Sequence, residues 1–378
     1  MKLTVMQSDL EKALKAVSPA VASRPTLPVL SHVLLETDEV GALHLAGTDL
    51  ELRIDTYVIA QIDEAGSFSV PAKLFSDLVG SFQDERIHLE LKGAALCVEC
   101  AGIAADVKGI DAQEYPLSPP VLSTDADPVA TFDAKEFRDA IDKVVFAAAD
   151  DESRPILTGI HILAAQGEGE PFTFAAADGY RLAVCKAGQA SAPLQATIPA
   201  KALFQAARLS SDSEGPISLY LDRNQVRFEI PGKADVTSQL IEGHYVNYNQ
   251  IIPESHATRT LVDRIELLHA LKSAHPFSRT EADIVHFSIS EYGDSSKLTV
   301  TATGSETGEY RAELAVEVDG NPLDVIAFNS RYLVDVLSAL DSKQVALETT
   351  NASRPGVIKP VDQGDSYVHV IMPMASRQ

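Results

Sequence analysis

No stretch of 18 apolar residues occurs in this 378-residue chain, and no charged, apolar and small-residue leader opens it. A membrane span and a secretory signal are therefore not expected. Cysteine is scarce. Three residues are an odd count for a disulfide scaffold and suit a reducing, cytoplasmic setting. Cys97 and Cys100 form a C-x-x-C, but no second ligand pair or thioredoxin-like context accompanies them. They also lie in strand-like sequence, where side chains three apart face opposite ways. No metal site and no cofactor are expected.

Positive charge is in deficit. Lys and Arg number 31 against 54 Asp and Glu, a net charge of −23. That argues against a generic nucleic-acid binder, although a local field can oppose the total. Catalytic signatures are missing as well. There is no G-x-S-x-G, no P-loop and no H-E-x-x-H, and the ten histidines are scattered. No catalytic residue is nominated.

What the chain does have is repetition. Val70-Pro71-Ala72-Lys73-Leu74-Phe75 returns as Ile198-Pro199-Ala200-Lys201-Ala202-Leu203 and as Phe328-Asn329-Ser330-Arg331-Tyr332-Leu333, at offsets of 128 and 130 residues. Such a period is too long for a solenoid and fits a whole domain. About 60 residues before each copy lies an amphipathic helical trio: Leu10, Leu14 and Val17; Phe137, Ile141 and Val144; Leu267, Leu271 and Ala274. Asp133 with Glu136, and Asp263 with Glu266, predict acidic N-caps; Met6 offers none. Asp49 and Asp178 recur at an offset of 129. Alternation in Ile87–Lys92, Ile217–Leu221 and Val345–Glu348 predicts antiparallel strands. The expected fold is α+β, in three tandem modules at 1–126, 127–256 and 257–378. Linkers are expected at Pro116–Pro128 and Pro253–Thr260.

Cations recur on the repeated helices: Lys12, Lys15 and Lys73; Lys135, Arg138, Lys143, Lys201 and Arg208; Arg264, Lys272 and Arg331. Lys73, Lys201 and Arg331 hold one position in the three copies.

The chain resembles the bacterial DNA polymerase III beta subunit family over its full length. The resemblance rests on Met1–Val5, on Ser23-Arg24-Pro25-Thr26-Leu27-Pro28-Val29-Leu30 and on Ala177-Asp178-Gly179-Tyr180-Arg181-Leu182-Ala183. Glu242-Gly243 running to Pro253, Asn329-Ser330-Arg331-Tyr332 and Val370-Ile371-Met372-Pro373-Met374 complete it. It implies a DNA sliding clamp: three DNA-clamp domains per chain, each two helices on antiparallel sheets, with two chains closing head to tail into a ring around duplex DNA. It implies an accessory subunit rather than an enzyme, with the replicative polymerase, the clamp loader and other clamp-binding-motif proteins as partners and no membrane. DNA contact is expected at Arg24, Lys12, Lys15, Lys73, Lys143, Arg154, Lys201, Arg208, Lys272 and Arg331. Ring closure is expected to join Ala105 and Val107 to Pro276 and Phe277.

The resemblance also implies a peptide groove made by Leu157, Ala177, Gly179, Tyr180, Arg181, Leu182, Pro253, Asn329, Tyr332, Val370, Met372, Pro373 and Met374. This chain departs from the family in Tyr180, in the acidic loop Asp150-Asp151-Glu152 and in the tail Ala375–Gln378. Two other functions stay open: an enzyme with a motif-poor site around Asp49, Asp178 or His32, and a monomeric adaptor that keeps the groove without the ring.

Overall fold

A computed structural model describes residues 1–25, 27–38, 41–116, 127–213, 215–222, 224–292, 295–321 and 325–375. Most of the expected first linker, with the boundary at 126, lies outside the described residues, as do 376–378 of the tail.

Six α-helices form where the repeats predict: α1 Gln7–Val17, α2 Ala72–Ser81, α3 Ala134–Asp142, α4 Ala200–Leu209, α5 Arg264–Ser278 and α6 Ser330–Ala339. All three apolar trios are buried, and each large aliphatic side chain so buried contributes about 1.5–3 kcal/mol. Val144 lies past the end of α3, in a tightened turn in which its N–H donates to Ile141 O at 3.0 Å.

The helix starts follow from sequence. Asp133 Oδ1 accepts from the Lys135 and Glu136 N–H groups at 3.0 Å each. Asp263 Oδ1 does the same for Ile265 and Glu266 at 2.9 and 3.0 Å. Met6 gives α1 no side-chain cap. The repeated hexapeptides carry a strand directly into α2, α4 and α6. Pro71 ends one strand at the start of α2, where a missing N–H is not needed. At the same place in the third copy Asn329 caps α6, accepting from Arg331 and Tyr332 N–H at 2.9 and 3.4 Å.

The chain forms two compact units that cut across the repeat. Residues 1–138 and 201–240 make the first, and 139–200 and 241–378 the second, so the middle copy is shared. The first unit contains a five-stranded and an eight-stranded sheet, the second a twelve-stranded one, with antiparallel pairing throughout. Each unit has one joint where strands of neighbouring copies pair. Leu52–Ile59 bonds Ala234–Gln239 in the first, and Arg181–Ala187 bonds Tyr367–Ile371 in the second. The cores lie between these sheets and the helices, with α1 on α2 and α5 on α6. Among the described residues, no helix is long and apolar enough to cross a membrane, and no group of three His, Cys, Asp or Glu could hold a metal ion.

Candidate functional site

The second joint builds a pocket. Cross-strand pairs Leu182–Val370 and Val184–Val368 put apolar side chains on one face, where they join Ala175, Ala177, Tyr248 and Val357. On that face a pocket of 110 Å³ is lined by Arg154, Leu157, Ala177, Gly179, Tyr180, Arg181, Leu182, Val246, Ile251, Val370 and Met372. The turn beside it is fixed locally. Asp178 Oδ1 accepts from Tyr180 and Arg181 N–H at 2.8 and 3.0 Å, and Gly179 takes φ +95°, a left-handed conformation that suits glycine. The Met372 N–H donates to Tyr180 O at 2.8 Å, holding Met372 beside the mouth.

Arg181 is held from several sides. Its Nε donates to Asp178 Oδ2 at 3.0 Å and Nη1 to Asp335 Oδ2 at 2.6 Å, and its guanidinium lies 4.3 Å over the Tyr332 ring. It therefore serves as wall rather than as a free cation. His369 lies on the opposite face from Val370. Burial, with Arg181 nearby, pushes its pKa down to about 3, so the ring is neutral.

Eight of the expected groove residues line the pocket: Leu157, Ala177, Gly179, Tyr180, Arg181, Leu182, Val370 and Met372. Five do not. Pro253 is half-buried elsewhere, Asn329 caps α6, Tyr332 stacks under Arg181, and Pro373 and Met374 leave the pocket as the Met374 N–H turns to Ala327 O. Val246 and Ile251 were not anticipated. They come from an irregular segment without periodicity, and their only local signal is their exposure, 37 and 40 %. Arg154, expected at DNA, belongs to the pocket rim.

Among the other expected DNA contacts, Arg24, Lys12, Lys15, Lys73, Lys201, Arg208, Lys272 and Arg331 are exposed. Several are partly spoken for: Lys15 by Glu11 at 2.5 Å, Lys201 by Asp49 at 2.5 Å and Arg331 by Asp283 at 3.9 Å. Lys143 departs from expectation. It is half-buried, donates to Gln363 Oε1 at 3.2 Å, and lines a depression with Asp139, Asp142, Asp335 and Asp341.

Two strand edges stand out. Ile103–Lys108 pairs with Ala95–Cys100 on one side, and among the described residues no strand takes the other. In Gly308–Gly320, the stretch up to Val316 likewise pairs only with Ser295–Gly304. Side chains at the corresponding places of the joined strands, such as Val236 and Ile54, are buried at 0 %. Here Tyr310, Ala312, Leu314, Val316 and Ala105 stay half-buried, and Ile103 is 52 % exposed. The Val107 side chain, named with Ala105 for ring closure, faces the core. Alternation turns it inward, 3 % exposed, so the edge offers its main chain and Ile103 rather than the Val107 side chain. The Phe277 ring lies 5.7 Å from that of Tyr310, tilted by 33°, with Pro276 exposed beside it.

Tandem α+β modules joined strand to strand, with an apolar pocket at one joint, define a clamp fold. Solved structures agree. The sliding clamp of Pseudomonas aeruginosa, described as bound to griselimycin, is 27 % identical with a TM-score of 0.87, covering 100 % of both chains. Models of the N-terminal, central and C-terminal domains of the DNA polymerase III beta subunit match residues 1–119, 131–247 and 249–375. The beta sliding clamp of Synechococcus elongatus is 33 % identical over 385 residues, all of both chains, and that of Staphylococcus aureus 30 % over 379, covering 97 % of this chain and 96 % of the relative. This chain belongs to the DNA polymerase III beta subunit family, the beta sliding clamps. It has three tandem clamp domains.

Proposed function

We propose that this chain is the processivity clamp of a replicative DNA polymerase, a cytoplasmic accessory protein that closes as a head-to-tail homodimer around duplex DNA. Module boundaries near 126 and 256 belong to this reading. The observation that carries it is the pair of unpaired edges. Inside the chain the same kind of joint forms twice, always antiparallel. The edges left over, Ile103–Lys108 and Gly308–Val316, correspond in the repeat to the two sides of that joint. A second copy can satisfy both, giving a heterologous contact that closes after two chains. Open edges with half-buried apolar side chains would otherwise invite uncontrolled pairing. Pro276 and Phe277, beside Tyr310, sit where they would flank this contact.

Duplex DNA would be held by topology and by phosphate contacts from exposed Lys and Arg of the repeated helices, which read no sequence. An overall charge of −23 keeps DNA from binding elsewhere on the surface. The pocket at the second joint would take an apolar side chain of an extended peptide from the polymerase, the clamp loader or other clamp-binding-motif proteins. Met372 suits a site with several occupants, because its side chain repacks easily.

Light scattering at micromolar protein tests the ring: the expected mass is twice 40.5 kDa, and a mass near 40.5 kDa rejects it in favour of the adaptor. Retention on nicked circular DNA, with release on linearisation, tests topological binding; equal retention on both counts against it.

A further inference from the structure

The second joint has another face, and it carries buried polar groups that peptide docking does not use. Tyr367 pairs with Cys185 and His369 with Ala183 across the joint, on the side opposite the apolar pocket. Tyr367 is 1 % exposed and His369 0 %. Among the described residues, the Tyr367 hydroxyl and both ring nitrogens of His369 have no hydrogen-bond partner. Buried polar atoms are nearly always bonded, so orphans on one face of one strand point to a guest that bonds them. The Phe146 ring lies beside them, 5.7 Å from the His369 ring and tilted by 37°. Phe146 also lines a depression of 510 Å³, with Lys143 and the carboxylates of Asp139, Asp142, Asp335 and Asp341. It is therefore common to the depression and to the orphaned cluster. It is half-buried in the short turn Val145–Ala147, where a change of rotamer can move the ring aside.

The depression is of a size that takes small molecules. Four carboxylates against one ammonium give it a local excess of negative charge. Asp335 is held by Arg181 at 2.6 Å, while Asp142 and Asp341 are exposed. Among the described residues no three acidic groups could hold a metal ion together, so an organic cation fits better than a metal. We propose that this depression is a second ligand site, gated by Phe146, for a small primary amine that carries an uncharged amide at its other end. The ammonium bonds the exposed carboxylates. With Phe146 swung aside, the amide N–H donates to the acceptor nitrogen of His369, and the amide oxygen accepts from the Tyr367 hydroxyl. A second ammonium is disfavoured at that end, because burial penalises a charge and Arg181 acts electrostatically on His369. The site lies on the far side of the joint from the apolar pocket and does not depend on what that pocket binds.

Calorimetric titration of the full-length protein with N-acetylputrescine tests the proposal. Putrescine, with a second ammonium in place of the amide, and N-butylacetamide, with no ammonium, are compared at one ionic strength. N-acetylputrescine should bind at one site per chain, and each comparison compound about tenfold more weakly, for the hydrogen bonds it gives up. Tyr367→Phe should also weaken N-acetylputrescine about tenfold. It removes an unpartnered hydroxyl, so the urea midpoint should not fall, and binding is read on a folded chain. Asp341→Asn should cost about threefold. Phe146→Ala, which removes the gate, should tighten N-acetylputrescine about threefold and leave putrescine unchanged. Putrescine binding as tightly as N-acetylputrescine, or N-acetylputrescine indifferent to Tyr367→Phe, would reveal only a solvated acidic patch and overturn the proposal. Absence of binding by N-acetylputrescine overturns it as well.

Discussion

The two strand joints share a backbone plan and differ in chemistry. In the second unit, Leu182 faces Val370 and Val184 faces Val368, and the apolar face opens into a pocket. In the first, Arg53 faces Thr237 and Asp55 faces Asp235. Arg53 holds the place in the repeat that Leu182 holds in the second. Its guanidinium, 8 % exposed, bonds both oxygens of Asp55 at 2.8–3.0 Å and reaches Pro116 O at 3.4 Å. His44 Nε2 adds a contact to Asp55 at 2.8 Å, and Arg227 Nη1 reaches Asp235 at 3.4 Å. One joint is lined by charged side chains, each paired within its own copy, with Asp55 facing Asp235 across it; the other is greasy and leaves room for a guest. Backbone pairing supplies the architecture in both, and the side chains at a few equivalent positions decide which joint can be a docking site.

Breaking the Arg53–Asp55 pair is the largest expected effect. Arg53→Met leaves Asp55 buried without its main partner, and breaking a buried pair from one side costs about 3–5 kcal/mol. Chemical denaturation of Arg53→Met should show a loss of that order, and an Asp55→Leu change on top of it should recover part. Indifference to Arg53→Met would mean that the ion network is ornamental and the joints differ less than their contacts imply.

A smaller effect sharpens the same contrast through pH. Asp235 is raised to about 6, first by burial, with Glu229 and Asp55 adding to the rise and Arg227 opposing it. Its folded pKa thus exceeds the ordinary carboxylate value, and the native state holds an extra proton between about 3.9 and 6. The stability this proton brings is complete below that window and is lost as pH rises through 6. Asp235→Asn should therefore flatten the fall in stability between pH 4 and 6, and raise stability at pH 7 by about 1–3 kcal/mol. Urea titrations at pH 4, 5, 6 and 7 check both. An unchanged slope would place the repulsion elsewhere.

How much of this was legible in the sequence follows from the range of the interactions. Helix trios and the caps at Asp133 and Asp263 are local, so periodicity and spacing reveal them, while the repeat marks Asp49 and Asp178 without naming their turns. The joints pair strands more than 170 residues apart, such as Thr56 with its bond to Lys233 O, and no local pattern names such a partner. The DNA contacts came from the family resemblance, and the structure adds their surroundings. Arg154 lies at the mouth of the pocket, and Lys143 lines a depression with Asp139, Asp142, Asp335 and Asp341; neither placement follows from a local pattern. The inward turn of the Val107 side chain is a tertiary fact too, because an edge strand still buries every second side chain. Pocket residues Val246 and Ile251 sit in coil, where no period marks the buried face.

The turns that flank the joints carry the smallest effect and the finest comparison. Asp49 Oδ1 accepts from Glu51 and Leu52 N–H at 3.1 and 2.8 Å, as Asp178 does for Tyr180 and Arg181. The residue after the Asp is left-handed in both, with φ 82° at Leu50 and 95° at Gly179. A left-handed side-chain-bearing residue costs about 1–2 kcal/mol, and glycine avoids that cost while losing about 0.5–1 kcal/mol of chain entropy. Leu50 is 52 % exposed, so little packing is lost with its side chain. Leu50→Gly should thus raise stability by about 0.5–1 kcal/mol, read as a shift in urea midpoint at constant slope. Gly179→Ala should lower it, because alanine must then hold the left-handed φ, while the added Cβ would stand in ordinary contact with Arg154, so neither change should move peptide affinity. A loss of peptide affinity in Gly179→Ala beyond its loss of stability would show that the turn also shapes the pocket mouth.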